Sequence, residues 1–138
     1  MTKAGIYGRI KVLKMGIGKE GSIHIIADFK GCSSELLLAG IKGEEILQQT
    51  VTEAELHCVL IRYHQFEPHG YTAAALLTES HITLHSWPEY NAVQIDVFTC
   101  GEHDKAYKAY EILKGIFKPK QISEEILLRN LDNITRVT

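Results

Sequence analysis

The stretch Ala73-Ala74-Ala75-Leu76-Leu77-Thr78-Glu79-Ser80-His81-Ile82-Thr83-Leu84-His85-Ser86-Trp87-Pro88-Glu89-Tyr90 decides how this chain is read. It opens on an unbroken apolar run. His81 to Ser86 then alternates polar and apolar residues, and a second largely apolar run follows from Ala92 to Thr99. Short runs of these residue types, bounded by polar breaks, read as neighbouring strands. Glu79-Ser80 is the break between the first pair, and Pro88 ends the second strand. Chemistry held between two strands is held rigidly, as catalysis requires.

Working outward toward the N-terminus, His64 to Gly70 is a turn punctuated by Pro68 and Gly70. Leu56 to Tyr63 alternates, with Leu56, Cys58, Leu60 and Arg62 on one face and His57, Val59, Ile61 and Tyr63 on the other. From Ser34 to Glu55 the apolar spacing is helical. Gly40 and Gly43 each weaken it by about 1 kcal/mol relative to Ala, so a break is expected there, with the better helix from Gly43 to Ala54. Ser22 to Phe29 is the first core strand. Residues 1–21 read as an N-terminal extension: Tyr7 to Lys14 is a short strand or helical turn, and Gly16, Gly18 and Gly21 form a link.

Toward the C-terminus, His103-Asp104 is placed to cap a helix from Lys105 to Phe117, with Ala106, Tyr110, Leu113 and Phe117 on one stripe. Gly115 and Pro119 mark its end. Gln121 to Arg129 reads as an edge strand, and the polar tail beyond Asn130 is expected to fray. The order strand, helix, three or four strands, helix, strand predicts one α+β domain over 22–130. Its form is a two-layer sandwich, an antiparallel sheet with helices on one face.

The chain has 138 residues and a net charge of −2, from 15 basic and 17 acidic residues. That balance gives no case for nucleic acid or an anionic membrane. No run approaches the ~18 apolar residues of a membrane span, and the N-terminus lacks a signal-peptide core. Cys32, Cys58 and Cys100 are an odd count without a Cys-x-x-Cys pair. This points to reduced thiols in a cytoplasm, with Cys32 and Cys58 as buried or half-buried thiols.

Glu79-Ser80-His81, His85-Ser86-Trp87-Pro88-Glu89-Tyr90 and Asp96-Val97-Phe98-Thr99-Cys100-Gly101 closely resemble the prokaryotic S-adenosylmethionine decarboxylase proenzymes. The resemblance is strongest from Phe66 to Gly101. It implies self-cleavage between Glu79 and Ser80 into a β chain, 1–79, and an α chain, 80–138. Ser80 becomes a pyruvoyl cofactor that takes the substrate amine as a Schiff base, in the service of polyamine synthesis. It also implies pairing of two units, sheet against sheet, as a homodimer of αβ heterodimers with four αββα layers. No metal is required.

The same resemblance assigns roles to further residues. His85 is the proton acceptor of self-processing. A histidine suits this because it titrates near neutrality. Cys100 is the proton donor of catalysis, and a thiol is mostly protonated at neutral pH. Thr72 stands where the family usually has Ser and supports processing with its hydroxyl, although its extra methyl stiffens χ1. Phe66, Trp87 and Glu89 bind substrate: aromatic faces suit an adenosyl sulfonium, a carboxylate the ribose hydroxyls. Asn91 replaces the usual Gly after Tyr90, and Asn tolerates the positive φ of that turn. His81 and His64 read as structural. Two other readings stay open: an arginine or ornithine decarboxylase of the same fold, and an uncleaved, non-catalytic regulatory paralogue.

Overall fold

The computed structural model describes residues 21–137; the expectations for Tyr7 to Lys14, Gly16 and Gly18 lie outside them. Seven strands, β1 (Ser22–Lys30), β2 (Cys58–Gln65), β3 (Tyr71–Leu77), β4 (Ser80–Trp87), β5 (Ala92–Thr99), β6 (Gln121–Arg129) and β7 (Ile134–Arg136), form one sheet. Their order is β2-β3-β4-β5-β1-β6-β7 and every pairing is antiparallel. Helices α1 (Gly40–Glu53) and α2 (His103–Phe117) pack on one face, α1 over β2 and β3, α2 over β1 and β5. The expected two-layer α+β architecture is what forms. No described helix is long and apolar enough to cross a membrane.

The strand period of two sorts the side chains. Ile82 and Leu84 of β4, Val93, Ile95 and Val97 of β5, and Ile23, Ile25 and Phe29 of β1 all point under the helices. They meet Leu47 and Val51 of α1 and Tyr110, Leu113 and Phe117 of α2. Burying each such side chain contributes about 1.5–3 kcal/mol. Among the described residues, the other face carries no helix. Cross-strand register lays it out in rows, including Leu76–His81–Phe98–His24, Ala74–Thr83–Asp96–Ile26 and His64–Thr72–His85–Gln94–Asp28. Ile26, Leu60, Leu76 and Trp87 are exposed on it.

Several local readings are corrected. The helix does not break at Gly40 or Gly43; the interruption comes earlier, after a 3-10 turn at Ser34–Leu36, and α1 begins at Gly40. A Cβ at Gly40 would run into the Tyr63 ring, and one at Gly43 into the Tyr71 ring. The glycines are therefore sites of close helix–sheet approach, and packing overrides propensity. Gly115 lies within α2, which ends where Lys118 turns left-handed. Residue Glu102, not His103-Asp104, occupies the cap position, and its side chain makes no cap hydrogen bond. The tail does not simply fray: β7 pairs with β6, which is not the sheet edge along that length. Cys58 is exposed, since it opens the edge strand β2 at a bulge between Cys58 and Leu60 that disrupts the expected alternation. Asn91 does adopt the left-handed conformation expected of it, with φ 52°.

Gly43→Ala tests the packing explanation. Helix propensity alone would favour Ala by about 1 kcal/mol. Forcing a methyl into a packed core costs about 1–3 kcal/mol, and Tyr71 cannot easily yield. Its ring is fully buried and its hydroxyl donates to Leu36 O at 2.8 Å. The variant is expected to melt below wild type in thermal or urea unfolding. An equal or higher midpoint would mean the ring has room.

Candidate active site

The residues singled out by sequence fall into two groups at opposite ends of the sheet. The first lies where β3 hands over to β4. Ser80 starts β4 opposite Thr99, the last residue of β5, so Cys100 follows immediately beside it. The Ser80 Oγ lies 3.8 Å from Cys100 Sγ. The Glu79 carbonyl, on the other side of the Glu79–Ser80 bond, accepts two hydrogen bonds. One comes from the Cys100 backbone N–H at 2.9 Å and the other from its thiol at 3.1 Å. Donors aimed at a carbonyl oxygen polarise it toward nucleophilic attack.

Ser80 itself has φ 152°. L-residues rarely adopt that region, and holding one there costs about 1–3 kcal/mol. Both neighbours of the strain are anchored: Ser80 by β5, and Glu79 by its own side chain. The Glu79 carboxylate is buried, 4% of the residue being exposed. It accepts from His57 N–H at 3.2 and 3.3 Å and from His57 Nδ1 at 2.6 Å. Sequence reasoning named Glu79 as a strand break and, through the family resemblance, as half of the cleaved bond, but gave its side chain no role and left His57 on a strand face. Nothing in residue type or spacing announces the pair, because it depends on where β3 stops.

The second group lies at the far end. Thr72 Oγ1 and His85 Nδ1 are 3.2 Å apart, on cross-strand partners of β3 and β4. Trp87 is exposed and donates from Nε1 to Gln94 Oε1 at 3.0 Å. Phe66 is exposed beyond β2, its ring edge-on to His64 at 4.7 Å. Glu89 is exposed in the 3-10 turn Pro88–Tyr90. Within one chain, Ser80 and His85 stand five residues apart on the same strand, about 16 Å at the usual strand rise.

Between the two ends the open face carries a polar network among its apolar residues. Arg129 Nη1 donates to His24 Nδ1 at 3.1 Å, which leaves His24 Nε2–H to donate to Asp96 Oδ1 at 3.2 Å. Thr83 Oγ1 donates to the other Asp96 oxygen at 3.2 Å. His81, beside His24 and Phe98, has its pKa lowered, first by burial and then by the neighbouring His24. Of the other thiols, burial pushes that of Cys32 up to about 11.

Comparison with known proteins places the chain among relatives of one description. The family profile described as S-adenosylmethionine decarboxylase matches residues 23–130. The chain is 41% identical over 106 residues to the S-adenosylmethionine decarboxylase proenzyme of Archaeoglobus fulgidus, covering 77% of this chain and 95% of that one. It is 40% identical over 107 residues to the proenzyme of the same description from Persephonella marina, covering 78% and 80%. The crystal structure of the adenosylmethionine decarboxylase from Aquifex aeolicus superposes with a TM-score of 0.79 at 35% identity, covering 83% of this chain and 94% of that one.

Proposed function

The chain belongs to the S-adenosylmethionine decarboxylase family, and from that premise we propose a self-cleaving proenzyme whose Ser80 becomes a pyruvoyl group. It removes the carboxylate of S-adenosylmethionine as CO2. The product is an aminopropyl donor for polyamine synthesis. One observation carries this reading: a strained Ser80 follows a carbonyl already polarised by two donors, with a thiol alongside.

Processing follows from those atoms. Ser80 Oγ attacks the Glu79 carbonyl carbon while Cys100 N–H and Sγ–H hold the developing oxyanion. The Glu79–Ser80 C–N bond breaks, the nitrogen takes a proton, and an ester replaces the amide. A base removes the Ser80 α-proton, and Glu79 leaves as a carboxylate. Water then releases ammonia from residue 80. The neighbourhood fits the resulting pyruvoyl group: Ser80 is half-buried at a strand end with Cys100 in reach. Such a group supplies a carbonyl electron sink for loss of the substrate carboxylate. The Cys100 thiol is then placed to protonate the substrate α-carbon.

His85 is the base of this scheme, and Phe66, Trp87 and Glu89 hold the adenosyl moiety, with Thr72 orienting His85. Their distance from Ser80 within one chain supports a two-subunit site. The open sheet face, with its exposed Ile26, Leu60, Leu76 and Trp87, is the surface that pairs. A two-fold axis crossing β4 near Thr83, perpendicular to the strands, carries His85 of one copy to the Ser80 end of the other. The assembly is then the four-layer αββα homodimer.

Release of CO2 from carboxyl-labelled S-adenosylmethionine, arginine and ornithine tests the substrate. Turnover is expected with the first alone. Turnover of arginine or ornithine without S-adenosylmethionine would overturn the assignment.

A further inference from the structure

We infer that His57 is a positioning residue for cleavage at Glu79–Ser80, an inference that rests on the self-processing reading above. The scissile carbonyl must be held still while Ser80 is kept at φ 152°. The strand ladder cannot do this on the Glu79 side, because β3 stops at Leu77. His57 takes over where the ladder ends. Its carbonyl accepts from Thr78 N–H at 2.9 Å. Its own N–H and Nδ1–H both donate to the Glu79 carboxylate. A side-chain carboxylate thus stands in for the missing strand acceptor, and residue 79 is gripped at both its side chain and its carbonyl.

The exposure of the pair is lopsided. The His57 side chain is 71% exposed, the Glu79 side chain 5%. A solvent-facing imidazole turned inward to serve a buried carboxylate is not explained by packing. A carboxylate out of water needs donors, and His57 supplies them from both its backbone N–H and its ring. Without the imidazole, His57 has one backbone N–H left for two oxygens. The carboxylate is then drawn toward water, and the Glu79 carbonyl moves off the Cys100 donors with it. Misplacement on that scale slows an intramolecular reaction steeply.

The test follows cleavage itself. Full-length chains made by cell-free synthesis are sampled over time by intact mass, with and without hydroxylamine, which intercepts a serine ester. His57→Ala and His57→Leu are expected to cleave at least about tenfold more slowly than wild type. Hydroxylamine should not restore cleavage, because the block precedes the ester. His57→Asn, close to Leu in size but with an amide N–H near the Nδ1 position, is expected to stay within about threefold of wild type. If wild type cleaves and the Ala and Leu variants keep pace, the inference fails while the self-processing reading stands. If Asn is as slow as Leu, the donor is not what matters and the inference fails likewise. A wild-type chain that never cleaves removes both.

Discussion

Replacing Ser80 with alanine is expected to leave one intact 138-residue chain where the wild type gives residues 1–79 and 80–138, and to reduce decarboxylation by about 10⁴ or more. The loss should be purely chemical. Among the described residues, Ser80 Oγ makes only a long 3.8 Å contact to Cys100 Sγ, so its removal takes little from the fold. Alanine also keeps the Cβ and inherits the same strained φ. Melting temperature should therefore barely move while cleavage vanishes. Cys100→Ala offers the contrast. It removes one of the two donors on the Glu79 carbonyl but leaves the backbone N–H at 2.9 Å. Cleavage should slow yet proceed, while turnover by the cleaved protein falls further, since no thiol remains to protonate the product carbanion. Intact mass and borohydride labelling of the new terminus read both outcomes. A Ser80→Ala chain that still splits at residue 79 would remove the basis of the mechanism.

The sheet was legible where period-two patterning is strong. Ile82 and Leu84 alternate with polar neighbours in the strand read from His81 to Ser86, and both are buried in the core. The glycines were misread because propensity describes an isolated helix, whereas Gly40 and Gly43 answer to tyrosine rings more than twenty residues away in sequence. The tail was misread because β7 has little apolar content of its own and is held by backbone pairing to β6. At the site, motifs named the chemical participants but not their places. Spacing along β4 puts Ser80 and His85 on one strand; it does not say that one strand cannot bring them together. His57 was invisible for a related reason. Its partner is defined by the residue at which β3 gives out, which no local pattern encodes.

That separation makes the second prediction the sharper one. Two inactive chains are expected to rescue each other. A His85→Ala chain keeps Ser80 but lacks the base; a Ser80→Ala chain keeps the base but lacks the nucleophile. If each site draws His85 from the opposite copy, neither homodimer cleaves. In the mixed dimer, the Ser80 of one chain meets the His85 of the other. With equal co-expression and random pairing, about half of the His85→Ala chains should be cut and none of the Ser80→Ala chains. Differently tagged chains resolved by mass give the fractions directly. The argument is one of reach. An imidazole spans a few ångströms, whereas five residues of strand place it about 16 Å from its own Ser80, and Thr72 at 3.2 Å ties the ring to the far end of the sheet. Moving it across within one chain would mean dismantling β4, the third strand of a seven-stranded sheet paired on both sides. Bringing a second open face over the first costs no such disruption and covers Ile26, Leu60, Leu76 and Trp87 as well. Cleavage of His85→Ala alone at the wild-type rate, or no cleavage in purified mixed dimers, would show that the base comes from elsewhere.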